Sequence, residues 1–480
     1  MKKVFGLDPR SKPGMTIKKN NMSSCHPKLD LGSRRKIKSY FFLMLSFFTL
    51  VNASESNFDT DDLSNDIQIS VKSAKTKKVI VGFVVVGHQD HDLKKLTQRL
   101  QKDFEWSGQC SVNIAYVAKL VHQSDAKKLF TSDVSAAVFL SKEHDEIVWR
   151  LYDLEAMSML AGKKIKQEKL TIDYIAHKIA DEIWPQLFGC ESCFRSKIAF
   201  CKQIWRKKYG REKPYKQIWV ADFDGSNAQL FIDAPTVSFA PRWNNDVTCP
   251  LLLYSENTLS NVSLVLSNMF GKRKVLCHFD GLNMQPTFCK DGKKVIFCLS
   301  KDGSSQLYLS YIDERSKQRK YDRLTFNNGQ NIAPCFIDSK MVAFVSDFET
   351  NKPQIYLLDI VTKAIKKITN GGYCACPNYS PLRNQIVYSK MIGSGMQLFT
   401  YDLKTELHTQ ITNSPGSKEE GSWSPCGNYI VFGYNKGNIA RIAQLHVPTG
   451  TIKFLTSETD ACSYPDCSPI YDECLGVLSR

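Results

Sequence analysis

Gly87 to Asp92 reads GHQDHD, and imidazoles interleaved with carboxylates at this spacing could hold a divalent metal. A second set is Cys190 and Cys193, a Cys-x-x-Cys that would supply half of a tetrahedral zinc site, with Cys374/Cys376 and Cys462/Cys467 as two further close pairs. A structural zinc needs four ligands. Neither a second Cys-x-x-Cys nor a paired-histidine spacing follows, so disulfides or buried thiols outrank metal, and none is expected. GHQDHD lies between an apolar run and a helical pattern, where the ordinary reading is a polar loop with Asp as helix cap. Hydrolysis by a serine on a strained turn would need Gly-x-Ser-x-Gly, and none of the 26 glycines opens one. No Gly-rich phosphate loop precedes a helix and no basic-aromatic interleaving marks a nucleic-acid face, so neither a nucleotide cofactor nor nucleic acid is expected.

With so little chemistry in the motifs, the elements must carry the reading. At 480 residues the chain exceeds one core, and 42% apolar content suffices to fold several. The formal charge of +16 is unevenly placed: residues 1–53 hold 11 Lys/Arg against 2 acids, and the remainder 53 against 46. A mild surplus over a long chain is an ordinary solvated surface. The leader has a basic run (Arg34, Arg35, Lys36, Lys38), an apolar stretch from Tyr40 to Val51, and a small-x-Ala exit at Ala53. A dozen apolar residues are too few to span a membrane, so residues 1–53 read as a secretory signal peptide with a long leader, leaving no span after cleavage. Of 16 cysteines, 15 follow the cleavage point, an odd number in an oxidising compartment.

Residues 54–78 form an extension in which Ile67, Ile69 and Val71 alternate with polar residues as a half-buried strand does. From 79 to 195 the pattern is a small α/β domain. Val79 to Val86 reads as a buried strand, Asp92 to Phe104 as a helix with Leu93, Leu96 and Leu100 on one stripe, and strands follow at Val112–Ala118, Ala136–Leu140 and Glu146–Leu151. The clearest helix is Ile172 to Phe188, capped by Thr171 and released at Gly189, with Pro185 expected to kink or end its last turn.

After Ser196 helical periodicity stops and one pattern recurs. QIWVADFDGSNAQLF, QLYLSYIDERSKQRKYDRLT, QIYLLDIVTKAIKKIT, QLFTYDLKTELHTQIT and two relatives start at 217, 261, 306, 354, 397 and 441, a period of about 45. Each carries a landmark, at Pro241, Pro286, Pro334, Pro377, Gly421 (in the proline's place) and Pro465, followed by a short apolar strand. Four short strands per 40–50 residues are the signature of a β-propeller blade. A lone four-stranded sheet cannot bury both faces, whereas six arranged radially bury them on one another. The fold class is therefore mainly β, a six-bladed propeller of four-stranded blades over 196–480 preceded by the small α/β domain. Lys197 to Cys201 lacks a landmark before it and Pro465 lacks a unit after it, so the terminal blade should take its inner strand from the C-terminus and the rest from about 197–232.

These residues resemble the family of the Tol-Pal system protein TolB. The resemblance rests on YIAHKIADEIWPQLFG followed by FRSKIAF, on QIWVADFDGSN, and on the recurring P-x-[aromatic]-S-P-[D]-G landmark, of which only Asp291-Gly292 keeps the Asp-Gly turn. It implies an exported, non-enzymatic periplasmic protein, a monomer, whose channel mouth docks Pal, the peptidoglycan-associated lipoprotein. It also implies an extension, matching Ile67 to Lys72, that contacts a TolA-like inner-membrane protein or folds back, and a role in envelope integrity, cell division and protein import. The same repeats occur in prolyl-oligopeptidase-like peptidases, so a propeller-gated peptidase or other periplasmic enzyme is the competing class, although only about fifteen residues follow Pro465. The segments entering the inner strands should converge on one mouth of the channel. That makes Ser238, Asn283, Asn331 and Lys418, each three residues before a landmark, together with Gln285, Glu419 and Glu420, the expected partner-binding rim, with closure of inter-blade turns as the alternative role for the asparagines.

Overall fold

A computed structural model describes residues 78–471, apart from 88–89, 120–124, 126, 131–132, 169, 209–210, 235 and 259–260. The leader and the extension residues Ile67, Ile69 and Val71 lie outside the described residues. The α/β domain is built on strands β1 (Val79–Val86), β2 (Cys110–Val117), β3 (Val134–Glu143), β4 (Glu146–Asp153) and β5 (Ser158–Lys166), in the sheet order β2-β1-β3-β4-β5. β1 runs parallel to both β2 and β3, and β3, β4 and β5 form an antiparallel meander. Helices α1 (His91–Trp106) and α2 (Ile172–Phe188) pack on one face, where Phe83, Leu96, Leu100, Phe104, Ile175, Ile179 and Trp184 share a core. Asp90 caps α1 by accepting from the Leu93 amide, and Thr171 caps α2 through Tyr174.

Pro185 does not end α2, which runs on to Phe188 and closes at Gly189 with φ 63°. Proline removes the amide that would bond the Asp181 carbonyl four residues back. Ser192 supplies the missing donor, its hydroxyl reaching that carbonyl at 3.3 Å. The Asp181 carboxylate then binds the amides of Phe194 and Arg195 at 2.8 and 3.2 Å, so this one residue shapes the linker into the next domain.

The next domain is a six-bladed propeller. Its inner strands are Val237–Trp243, Asn283–Phe288, Asn331–Phe336, Cys374–Ser380, Ser417–Trp423 and Ala461–Cys467, which define blades I to VI. Blades II to V are separate four-stranded sheets, each made from consecutive chain. Blade VI takes its inner strand from the C-terminal end and pairs it with β6 (Lys197–Lys208), β7 (Arg211–Asp222) and β8 (Gln229–Ile232), the closure expected from the sequence. Second strands such as Val295–Leu299 are buried along their whole length because a neighbouring blade covers each face.

The α/β domain sits on the face where the inner strands end. Trp106 and Gln444 share a hydrogen bond, Gln444 donates to the Phe223 carbonyl at 3.0 Å, and the Phe223 ring meets Trp106, His177 and Phe194 edge-on. A buried charge cluster completes the joint. Asp222 receives Lys197 and faces His177 Nε2 at 3.4 Å; Asp224 receives Arg99 and Lys102 at 3.1 and 2.9 Å. Burial and the Arg99 guanidinium, 3.1 Å from Nε2, oppose a charged imidazole, but Asp103 at 2.9 Å and Asp222 raise His177 to about 9, and the surrounding cations hold Asp224 down at about 2 against its own desolvation.

Candidate functional site

The channel wall begins with a backbone irregularity that recurs at every landmark, at five prolines and at Gly421 alike. A proline in a strand cannot donate to the ladder, so the chain must bulge there. Every inner strand shifts register at its landmark. The residue before each landmark stands in the left-handed region: Ala240, Gln285, Ala333, Cys376, Glu420 and Tyr464, with φ between 49° and 58°. Such backbone costs on the order of 1 kcal/mol per non-glycine residue, so six in a ring persist only because the surroundings hold them.

Two tiers of blade-to-blade hydrogen bonds provide that support. In the first, in blades II and V, the side chain at the left-handed position accepts from the equivalent amide of the next blade: Gln285 Oε1 from Ala333 at 3.0 Å, and Glu420 Oε2 from Tyr464. In the second, the residue after the landmark accepts from the amide two past the next landmark. Asn378 takes Trp423 at 2.9 Å, Ser422 takes Cys467 at 3.2 Å, and Asp466 takes Trp243 at 2.8 Å across the closure. The bulges free these amides and the neighbouring blades satisfy them.

Within the wall is a cavity of about 160 Å³, lined among others by Arg242, Gln285, Thr287, Asn378, Glu420 and Asp466. Burial, reinforced by Glu419, pushes the Glu420 carboxyl up to about 7. Asp466 is also raised by burial, in spite of Arg242 at 3.5 Å and the Ser422 hydroxyl at 3.1 Å. Lys216 approaches the Tyr464 ring at 5.3 Å and donates to Ser463 Oγ at 3.3 Å. The wall is thus polar and pre-ordered, and burial biases both Glu420 and Asp466 toward the protonated form.

Of the seven rim residues expected from the sequence, Gln285 and Glu420 line the cavity, and Glu419 lies half-buried beside it. Ser238, Asn283, Asn331 and Lys418 do not: each is 0% exposed. Asn283 turns into the preceding inter-blade turn, where Nδ2 donates to the carbonyls of Val262 and Phe279 at 2.8 and 2.7 Å and Oδ1 accepts from the Phe279 amide at 3.1 Å. Asn331 bonds Asn327 Oδ1 at 2.7 Å and Gly329 O at 3.2 Å. Lys418 reaches the carbonyls of Ser414, Pro415 and Gly416, and burial lowers it to about 8. Ser238 Oγ is buried without a partner. The expected rim is therefore corrected: Asn283, Asn331 and Lys418 clamp turns, and Ser238 is buried away from the cavity. The wall residues Ala240, Arg242, Ala333, Cys376, Asn378, Tyr464 and Asp466 were missed, and the signal that could have found them was the proline itself.

The mouth away from the α/β domain has a further feature. β6 and β7 remain paired for six residue pairs past the point where Lys202 meets Gln217, out to Lys208 and Arg211. This hairpin carries Trp205 at 61% exposure, with Lys207 and Lys213 also exposed.

Six radial sheets clasped by the C-terminal strand, with an α/β domain seated on one face, define a two-domain WD40-like propeller. The profile of the TolB beta propeller domain matches residues 184–348 and 337–477, and the chain belongs to the TolB family. A Tol-Pal system protein TolB from Francisella tularensis subsp. mediasiatica is 25% identical over 368 residues, covering 73% of this chain and 78% of the relative. That from F. tularensis subsp. tularensis is 28% identical over 267 residues, 54% of this chain and 58% of the relative. The crystal structure of TolB from Acinetobacter baumannii superposes with a TM-score of 0.68 at 21% identity, covering 83% of this chain and 98% of the other. Among the described residues no helix is long and apolar enough to cross a membrane.

Proposed function

We propose that this chain is a non-enzymatic, periplasmic adaptor of a Tol-Pal envelope system. It binds a Pal-like lipoprotein at the propeller channel, engages a TolA-like inner-membrane protein through the 54–78 extension, and supports outer-membrane integrity and cell division. The reading is supported by family membership and, above all, by the channel wall: a ring of strained, cross-braced backbone presents polar groups that do not need to reorganise when a partner loop enters. A cavity of about 160 Å³ suits the tip of such a loop rather than a domain. The free mouth, flanked by the basic hairpin, is the entry face.

Titration calorimetry with the soluble domain of a Pal-like lipoprotein tests this. Arg242→Ala and Glu420→Gln, at wall positions, are expected to weaken binding about tenfold or more, as truncation of a central desolvated contact does. Unchanged affinity in both variants would remove the channel as the docking site.

A further inference from the structure

The linker that Asp181 shapes carries Cys193, and the turn between the first and second strands of blade V carries Cys426. The two are 233 positions apart in sequence, yet their sulfurs lie 3.1 Å from one another, within the contact distance of two thiols. Both are buried, at 2% and 6% exposure. Cys190, the sequence neighbour of Cys193, is directed elsewhere, its sulfur approached by Asn428 Nδ2 at 3.8 Å.

The Cys426 position is itself informative. Blade II makes the same turn with Asp291: Gly292 N–H bonds Cys289 O at 2.9 Å, as Gly427 N–H bonds Ser424 O at 3.0 Å. Asp291 closes its turn by accepting from the Lys293 amide at 2.9 Å. In blade V the Asp is replaced by a cysteine whose sulfur contacts Ser424 Oγ at 3.2 Å and Cys193, so the turn carries a thiol where its counterpart carries a turn-closing carboxylate.

We propose that Cys193 and Cys426 form a disulfide that fastens the interdomain linker to blade V. Bond formation needs the sulfurs to close by about 1 Å, to the usual S–S length of about 2.04 Å. The contact raises Cys193 well above its usual range, which makes its attack on the external disulfide the slower step, while against desolvation the bonds from Cys193 and Ser424 hold Cys426 below its own, which suits it as the thiolate of the second step. The oxidant is a disulfide of a thiol oxidoreductase or of glutathione. Cys193, which lines a small surface cavity with Cys190 and Tyr429, takes the mixed disulfide and expels one thiol; Cys426 then attacks the Cys193 sulfur and expels the second. Two protein thiols and one external disulfide become one internal disulfide and two external thiols. In a cell the bond rests on the exported reading above, since it persists only in an oxidising compartment.

The full chain, reduced and then equilibrated across a glutathione redox series, is quenched with N-ethylmaleimide and mapped by mass spectrometry. The expected result is a Cys193–Cys426 cross-linked peptide pair and a melting temperature higher by about 5 °C than that of the reduced protein. Cys426→Ser, which keeps the size of the buried side chain and cannot form the bond, should fold and lose the redox dependence of melting. Alkylation of both thiols at the most oxidising point, or pairing of Cys426 with Cys190 or Cys467, would overturn the proposal. Trapping the thiols in intact cells separates it from the exported reading: pairing in buffer with free thiols in the cell refutes export and leaves the bond standing.

Discussion

Replacing Asn283 by alanine separates the two roles this position was open to in the sequence. The side chain is 0% exposed and accepts from the Phe279 amide at 3.1 Å while donating to the Val262 and Phe279 carbonyls at 2.8 and 2.7 Å. The Phe279 carbonyl keeps a second donor, Asn261 Nδ2 at 2.6 Å, so alanine strands the Phe279 amide and the Val262 carbonyl and removes the acceptor of the weakly donating Cys277 thiol. Each stranded group costs about 1–3 kcal/mol, and some relaxation of the turn is expected, so the loss should be about 2–4 kcal/mol. Urea unfolding followed by tryptophan fluorescence reads this as a lower midpoint at unchanged slope. Affinity for the Pal-like domain, measured on the folded variant, should move by less than about twofold, below the about 1.4 kcal/mol that marks a tenfold effect. An unchanged midpoint together with a large loss of affinity would refute the clamp and reinstate Asn283 as a rim contact.

Other perturbations follow from the same structure. Glu420 sits at about 7 in the fold against 4.5 when solvated, so its contribution is present below 4.5 and lost as pH rises through 7; relative to Glu420→Gln, the wild type should lose stability over that window, seen by urea titration at a series of pH values. His177, raised to about 9 from 6.5, contributes below 6.5 and is lost as pH rises through 9. Limited proteolysis of the linker at 191–196 should therefore accelerate between pH 7 and pH 10, and a flat rate would contradict the charge cluster. Ser192→Ala leaves the Asp181 carbonyl without its replacement donor and should lower stability by about 1 kcal/mol in thermal unfolding. Trp205→Ala, at a 61% exposed position, should leave melting unchanged and weaken binding at the free mouth by calorimetry.

The fold was legible because the repeat makes it redundant: six copies of one strand pattern report the same blade, and the unmatched ends at Lys197 and Pro465 announce their pairing. Local signals also read true where one residue decides, as at Thr171 and Gly189. Strand β5 was missed because it is almost entirely exposed and so lacks the alternation a buried face imposes. Of the two outcomes open at Pro185, a kink or an end, the helix does not end there, because Ser192, a partner that only the folded linker brings near, bonds the carbonyl left free. The channel wall was missed for a related reason. Periodicity tells which side chains face a core, but a bulge adds a residue and reverses the alternation after it, so counting from the landmark selected the clamps and skipped most of the wall.

The clasp in blade VI sets the order of events for a newly made chain. Until Ala461–Cys467 emerges, β6 has no inner neighbour and the first and last sheets face one another across a gap, so five sheets can stack but the circle stays open. Deleting only the final strand should leave an open arc with two exposed sheet edges, prone to self-association rather than to quiet loss of one contact.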